Sequence, residues 1–129
     1  MTESTKLKIL LAEDDDFMIQ LMSDAIVKEG FAELFVAKNG EEALAVFKKE
    51  HPAPLLVDIL MPVKNGIEFI GDVRALPEGK DTIVIILSNL SDPHHTEDAE
   101  RLKVARYFIK ANTLPGEIVT EIKKLLGVS

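Results

Sequence analysis

The hydrophobic positions of this 129-residue chain fall into five short apolar runs, separated by longer stretches in which apolar residues recur at helical spacing. This alternation predicts repeated strand–helix units on a parallel sheet, and therefore an α/β fold. The first, third and fourth runs are almost continuously apolar, as expected of strands buried on both faces, so the second and fifth are predicted at the sheet edges. The predicted strands are residues 8–12, 32–36, 55–58, 83–88 and 107–110.

Cap residues predict where the helices between these strands begin and end. Gly30 follows an apolar helical face and is predicted to end the first helix. Asn39 and Asn65 each stand three residues before a Glu, the spacing of a capping box, and are predicted to begin the second and third helices. Asp92-Pro93 is predicted to begin a mostly polar fourth helix, and Thr113 precedes the fifth.

Composition limits the class of protein. The net charge of -7, with one Tyr and no Trp, argues against direct contact with nucleic acid, whose partners normally carry a basic face with aromatic side chains. The absence of Cys excludes disulfides and thiolate metal sites and agrees with a reducing cytoplasm. The first six residues lack the apolar core of a signal peptide, and no apolar stretch is long enough to cross a membrane. We therefore expect one cytoplasmic domain over residues 1–129, with 1–6 as an N-terminal tail.

Polar residues stand where four of the five apolar runs end. Glu13 and Asp14 follow the first run, Asp58 ends the third, Ser88 ends the fourth and Lys110 ends the fifth. The carboxyl ends of parallel strands lie along one edge of a sheet, where open α/β proteins bind ligands. The sequence therefore predicts one acidic site at this edge.

Each of these residues also has a purely structural interpretation. Glu13 and Asp14 could cap a helix, which is worth roughly 0.3–1 kcal/mol, while Asp58 and Ser88 could be turn residues and Lys110 a solvated charge. Their conjunction favours function, because three neighbouring carboxylates repel one another unless a cation relieves them. Hard oxygen ligands in this number favour Mg²⁺ over Ca²⁺. A metal, an ammonium and a hydroxyl could surround a phosphoryl group, leaving Asp58 as the nucleophile.

Taken together, these residues resemble the response-regulator receiver domain of two-component signalling, over essentially the whole chain. Residues 9–15 (ILLAEDD) are similar to the acidic pocket of that family, and residues 57–62 (VDILMP) with Gly66 are similar to its phosphoacceptor segment. Ser88 and Lys110 fall at the positions of its hydroxyl and lysine. The resemblance implies a flavodoxin-like (βα)5 doubly wound sandwich, with a parallel five-stranded sheet in the order 2-1-3-4-5.

The resemblance also implies a chemistry for the pocket. Asp58 would accept a phosphoryl group from a sensor histidine kinase or a histidine phosphotransfer protein. Mg²⁺ would be bound by Asp14, Asp58 and the backbone carbonyl of Leu60, with Glu13 acting through water. The chain would then be a stand-alone switch or phosphotransfer carrier, since no output domain follows in the sequence, and not a turnover enzyme.

Two of the residues are implied to report phosphorylation. Ser88, which with Lys110 would contact the phosphoryl group, would move toward it, and Tyr107 would turn inward. The structural alternative for Tyr107 is an edge-strand aromatic that covers the core. The implied output surface comprises the fourth helix, fifth strand and fifth helix (the α4-β5-α5 face), which would signal to an unknown downstream protein.

The chain departs from the family pattern near the pocket. Ala111 replaces a Pro that often follows a cis peptide bond, so this loop is either strained or follows a different path. Ala111 and Asn89 favour an alternative function as a degenerate, phosphorylation-independent interaction module. Leu60 and Leu90 are apolar at positions that influence attack by water, which favours slow self-dephosphorylation. A small phosphohydrolase is a further alternative, opposed by the lack of a second acid two residues after Asp58.

Overall fold

A computed structural model describes residues 7–30, 32–89 and 93–127, and for residues 93–95 the backbone alone. In this part of the chain, one parallel sheet has the strand order β2-β1-β3-β4-β5 and is covered by helices. The predicted fold class and strand order are confirmed. The elements are β1 (Leu7–Ala12), α1 (Asp16–Glu29), β2 (Ala32–Ala37), α2 (Gly40–Glu50), β3 (Leu55–Asp58), α3 (Gly66–Ala75), β4 (Val84–Ser88), α4 (Pro93–Arg101), β5 (Arg106–Ile109) and α5 (Pro115–Leu126).

The core lies on both faces of the sheet. Alternate residues of β1 point to opposite sides, so Leu10 packs in a cluster with Phe47 of α2, whereas Ile9 packs in a second cluster with Met22 of α1 and Ile118 of α5. Every residue of β3 and β4 is buried, while β2 and β5 are partly exposed, as predicted for edge strands. Among the described residues, no helix is long and apolar enough to span a membrane.

The predicted caps are mostly confirmed. Gly30 ends α1 with a left-handed φ of 67°, and Asn65 begins α3 with a complete capping box. Asn39 begins α2 by accepting a hydrogen bond from the Glu42 N–H at 2.8 Å. The Glu42 carboxylate, however, accepts from the N–H of Lys38 at 2.6 Å instead of from Asn39, so this second capping box is only half formed.

The end of β5 differs from the prediction. Lys110 is not the last residue of the strand but the first of a short 3-10 helix, Lys110–Asn112. The turn is held by Thr113, whose hydroxyl donates to the Ile109 carbonyl at 2.9 Å and whose N–H donates to the Lys110 carbonyl at 3.3 Å. The Lys110–Ala111 peptide bond is trans, so the loop takes the different path that was the alternative to strain. The predicted cap Asp92 and Leu90 lie outside the described residues.

Candidate functional site

The strand register brings the polar strand ends together at one edge of the sheet. Asp58 of β3 is paired with Leu87 of β4, and Ser88 is paired with Ile109 of β5, directly before Lys110. Asp58 and Ser88 are 5% and 3% exposed, although they lie at strand ends where solvent access is usual. A carboxylate and a hydroxyl are therefore buried at the ends of the adjacent strands β3 and β4, and Lys110 directly follows β5.

The three acids that follow β1, residues 13–15, have different environments. Asp15 is the N-cap of α1, because its Oδ1 accepts a hydrogen bond from the Phe17 N–H at 3.1 Å. Asp14 is exposed, whereas Glu13 is 0% exposed and points into the interior. The structural interpretation of Glu13 and Asp14 as helix caps is therefore wrong, because Asp15 caps α1.

Lys110 joins the buried acids into one cluster. Its Nζ lies 2.7 Å from Oε1 of Glu13 and 3.3 Å from Oδ2 of Asp58. The three side chains are between 1% and 7% exposed, so these charges are held away from water. Oε2 of Glu13 also accepts a hydrogen bond from the Asp15 N–H at 3.2 Å. Oε1 is fully buried, and no donor within the described residues meets it with hydrogen-bond alignment, so its contact with Lys110 is an ion pair.

The burial of these three groups changes their pKa values. Burial raises the pKa of Glu13 to about 7, against the opposing effect of Lys110. Burial also raises the pKa of Asp58, although the Lys110 charge and the Leu60 backbone N–H lower it. Burial lowers the pKa of Lys110, but the two carboxylates outweigh this effect and raise it overall. The buried acids of the metal-free pocket therefore hold protons more tightly than free carboxyl groups do, despite the neighbouring ammonium.

The residues present fit a divalent cation. Oxygen atoms of Glu13, Asp14 and Asp58 all lie within 4.8 Å of one another. If all three carboxyl groups are ionised, they and the one ammonium leave two negative charges, which one divalent cation would balance. The unaligned Oε1 of Glu13 is also a buried acceptor that a metal-bound water could satisfy. Hard oxygen donors of this kind suit Mg²⁺ and related cations.

The backbone that carries Asp58 is fixed by a close approach to α3. The Gly66 N–H donates to the Ile59 carbonyl at 2.9 Å, and a Cβ on Gly66 would lie 2.3 Å from the Asp58 carbonyl oxygen. Only glycine permits this contact, which sets the start of α3 against the end of β3. In the loop between β3 and α3, Val63 has a φ of 68°, which is unfavourable for a β-branched residue, and Leu60, two residues after Asp58, is 56% exposed.

The two residues expected to respond to phosphorylation lie on adjacent strands. Ser88 is the buried last residue of β4. Tyr107 is paired with Ile86 of β4, and its half-buried side chain packs against the cluster that contains Ala99 and Leu102 beside α4. Tyr107 therefore covers the core from the edge strand in this structure, as its structural interpretation predicts.

Two features of the surroundings were missed by the sequence analysis. An apolar groove of about 340 Å³ runs beside Lys110 between α1 and the start of α5, with Met18 and Leu114 in its walls. Its residues lie almost a hundred positions apart, so no local pattern indicates it. Lys38 pairs with Asp16 at 2.7 Å, and this contact raises the pKa of Lys38. The acidic run had suggested only metal ligands and caps.

Comparison with known proteins agrees with this geometry. The family model described as the response regulator receiver domain matches residues 9–123. The transcriptional regulatory protein CitT of Bacillus subtilis is 33% identical over 108 residues, which are 81% of this chain and 46% of that protein. The chain spans about half the length of this and several other curated relatives that it matches.

Solved structures give the same result. A phosphorylated cyanobacterial phytochrome response regulator, RcpA, superimposes with a TM-score of 0.83 at 26% identity, over 94% of both chains. A CheY-like receiver domain protein from Methanospirillum hungatei has a TM-score of 0.87 over 95% of both chains, and at 21% identity it shows the fold alone. Given the family match over most of its length, the chain belongs to the response regulator receiver domain family of two-component signalling.

Proposed function

We propose that this receiver domain is a phosphorylation-controlled switch or phosphotransfer carrier, in which Asp58 accepts a phosphoryl group from a sensor histidine kinase or a histidine phosphotransfer protein. The observation that carries the proposal is the burial of Asp58 and Glu13 around the Lys110 ammonium at the carboxyl edge of the sheet. Buried like charges are costly, and the packing of the sheet does not need them. The phosphorylated state of RcpA, a relative at 26% identity, supports the same chemistry here.

The proposed reaction is a phosphoryl transfer to a carboxylate. An Oδ atom of Asp58 attacks phosphorus, the P–N bond of a phosphohistidine breaks, and its electron pair stays on the imidazole nitrogen. Lys110, 3.3 Å from Oδ2 of Asp58, is close enough to neutralise the incoming phosphoryl oxygens. The Ser88 hydroxyl donates a hydrogen bond to one of them.

The proposal includes a binding site for the Mg²⁺ ion that the family resemblance implies. Asp14, Asp58 and the backbone carbonyl of Leu60 would hold Mg²⁺ directly, and Glu13 would hold it through water. The bound ion supplies positive charge to the phosphoryl oxygens during transfer. The grouping of three carboxylates within 4.8 Å supports this assignment.

The signal is proposed to leave through Ser88 and Tyr107. Phosphorylation adds roughly -1.5 to -2 charge beside Ser88. Movement of the Ser88 hydroxyl toward the phosphoryl group would open space beside β4 for the half-buried Tyr107 to turn inward. The face formed by α4, β5 and α5 would then change its contacts with a downstream protein.

The proposal extends to the whole chain. Residues 1–129 form one receiver domain, with residues 1–6 as its tail, that works in the cytoplasm without direct contact with nucleic acid or membrane. It is a switch and catalyses no reaction except its own phosphorylation and dephosphorylation. The net charge of -7 agrees with protein partners rather than nucleic acid.

The proposal is tested by labelling with acetyl phosphate and Mg²⁺ and measuring intact mass. Wild type is expected to gain one labile phosphoryl group, Asp58→Asn to gain none, and the matched exposed variant Asp81→Asn to behave as wild type. Equal labelling of Asp58→Asn would refute the assignment. Absence of any labelling, with no response to beryllofluoride and Mg²⁺, would favour the degenerate interaction module that Ala111 suggests. Steady release of phosphate from simple esters would favour the phosphohydrolase.

A further inference from the structure

A cavity of about 300 Å³ lies at the amino edge of the sheet, opposite the acidic pocket. Its walls come from the end of α3, the segment before β4 and the C-terminal end of α4: Arg74, Lys80, Asp81, Arg101, Leu102 and Lys103. Four of these six residues are basic and one is acidic, although the whole chain has 22 acidic residues and 15 Lys and Arg residues. The charge of the cavity is therefore opposite in sign to the net charge of the protein.

Most of the cations in this cavity lack a carboxylate partner. Among the described residues, Arg101 is the only one of the four that forms an ion pair, with Asp98 at 3.0 Å. Elsewhere on the surface, Lys8 and Lys38 pair with acids at 2.9 Å and 2.7 Å. The cavity thus keeps positive charge that an anion from solution could neutralise.

Arg74 supplies a positive charge that is fixed in place. Its guanidinium donates hydrogen bonds to four backbone carbonyls, two before β4 and two after α4, so its position is set by the backbone. Burial lowers the pKa of Arg74, against the opposing effect of the Asp81 charge. Within the described residues, the hydrogen bonds of this half-buried charge go only to neutral carbonyls, so its compensation is incomplete and a nearby anion is favoured.

Lys103 has a backbone conformation that glycine normally adopts. The end of α4 is a Schellman motif, in which the Lys103 N–H donates to the Glu100 carbonyl at 3.1 Å and the Val104 N–H donates to the Ala99 carbonyl at 2.9 Å. The φ of Lys103 is 58°, which is unfavourable for a residue with a Cβ. Because Lys103 also lines the cavity, the backbone is strained at a residue that brings positive charge there.

We propose that this cavity binds a small ligand with two or more negative charges on phosphate or carboxylate oxygens, held by Arg74, Lys80 and Lys103. The inference goes beyond the proposed function, because Asp58 lies at the other edge of the sheet. The volume is at the lower end of the range for small-molecule sites. Among the described residues, no aromatic side chain lines the cavity, so it offers no stacking surface for a nucleobase. A compact polyanion therefore fits these walls better than a nucleotide or a nucleic acid.

Calorimetric titration with inorganic pyrophosphate tests the site, at low salt and in buffer freed of metal ions on a chelating resin. Wild type is expected to bind with a Kd of about 0.1–1 mM, because contacts to exposed lysines contribute modestly. Lys103→Gly should weaken binding about fivefold, and the double variant with Lys80→Met more than about tenfold. Lys124→Met removes an exposed lysine of α5, on the other face of the sheet, and should change the affinity by less than about twofold.

Lys103→Gly separates binding from folding. The substitution removes the charge and also relieves the left-handed φ, so the urea midpoint should equal or exceed that of wild type. A lysine with a purely structural role would instead lose stability. In an NMR titration of metal-free wild type with pyrophosphate, the Arg74 Nε–H and Lys80 amide signals should shift, whereas the Glu13 and Asp58 amide signals should stay in place.

Citrate is the second probe and distinguishes the two ligand classes. Tighter binding of pyrophosphate assigns a phosphate compound, tighter binding of citrate assigns a polycarboxylate, and equal binding assigns both, so each of these results supports the site.

Three results would overturn the inference: no binding of either anion up to about 10 mM, equal affinities of Lys103→Gly and wild type, or binding of an acidic peptide without either small anion. In each case, acetyl phosphate would still label Asp58, in Lys103→Gly as in wild type, and the proposed function would stand. Loss of labelling in wild type would refute the proposed function and leave the anion site in place.

Discussion

Replacing Arg74 with Met removes a guanidinium that links α3 by hydrogen bonds to the segments before β4 and before β5, at the sheet edge opposite the acidic pocket. Arg74, near the end of α3, donates hydrogen bonds to the carbonyls of Gly79 at 2.8 Å and Thr82 at 2.8 Å, before β4. It also donates to Leu102 at 2.8 Å and Lys103 at 3.2 Å, where α4 leads into β5. We expect the substitution to destabilise the fold without changing its topology.

The magnitude follows from the number and kind of hydrogen bonds lost. A hydrogen bond to a charged group contributes roughly 1.5–3 kcal/mol, but the four are not additive. Arg74 is only half-buried, so water can reach some of the carbonyls after substitution, and Met retains part of the aliphatic packing. We therefore expect a loss of about 3 kcal/mol, a large fraction of the roughly 5–15 kcal/mol that stabilises a domain.

Urea denaturation followed by far-UV circular dichroism, in buffer with EDTA, measures this loss. Arg101→Ala is the matched control, because Arg101 is an exposed arginine paired only with Asp98 among the described residues, and should cost less than about 0.5 kcal/mol. Arg74→Lys retains the charge but not the planar guanidinium with its several N–H donors, so its free energy of unfolding should lie between those of Arg74→Met and wild type. A cost of Arg74→Met within about 1 kcal/mol of the Arg101→Ala cost would refute the reasoning.

Three further predictions concern the pocket and its surroundings. Burial raises the pKa of Glu13 from 4.5 to about 7, so the metal-free folded state binds more protons than the unfolded chain in this window, and stability should fall as the pH rises through it. In urea titrations, the free energy of unfolding of the metal-free protein should fall by roughly 3 kcal/mol as the pH rises; Mg²⁺ should reduce this fall, and Glu13→Gln should not show it. If the stability of Glu13→Gln fell with pH in parallel with that of wild type, this prediction would be contradicted. Val63→Gly relieves a left-handed φ of 68° at a side chain that is 78% exposed, and should raise stability by about 0.5–1 kcal/mol, whereas Gly30→Ala should lower it. Leu60→Asn introduces a polar side chain two residues after Asp58 and should shorten the lifetime of the phosphorylated protein several-fold in a phosphate-release assay; equal lifetimes would argue against exclusion of water by the apolar side chain.

The central strands were predictable because their residues have only one environment. Every residue of β3 and β4 is buried, so their apolar runs mark both the strands and their place between two helical layers. The end of β5 was not predictable in the same way. Lys110 leaves the sheet because Thr113 closes a turn on Ile109, a contact that the periodicity of apolar residues does not contain.

For the pocket, the sequence indicated which residues lie close together but not which of the acids caps α1 and which contacts Lys110. Parallel strands bring their carboxyl ends to one edge, so the meeting of Asp58 with Lys110 followed from strand order. The roles of the acids after β1 depend on where α1 begins. Because Asp15 is the N-cap, Glu13 turns inward and forms an ion pair with Lys110, a contact that the sequence analysis did not predict.

The residues at one edge of the sheet contribute to stability and those at the other edge to chemistry, and one pair of variants tests this separation. Arg74 satisfies backbone acceptors at the amino edge of β4 and β5, while Glu13 and Asp58 are held at the carboxyl edge in an environment that raises both of their pKa values. Arg74→Met should therefore lower the free energy of unfolding while leaving Mg²⁺ affinity within about twofold, since no ligand moves. Glu13→Gln should do the reverse, raising metal-free stability above neutral pH and weakening Mg²⁺ binding about tenfold. If Arg74→Met weakened Mg²⁺ binding as much as Glu13→Gln, the strands would transmit strain from one edge to the other, and the pocket geometry would depend on the hydrogen bonds at the far end of β4.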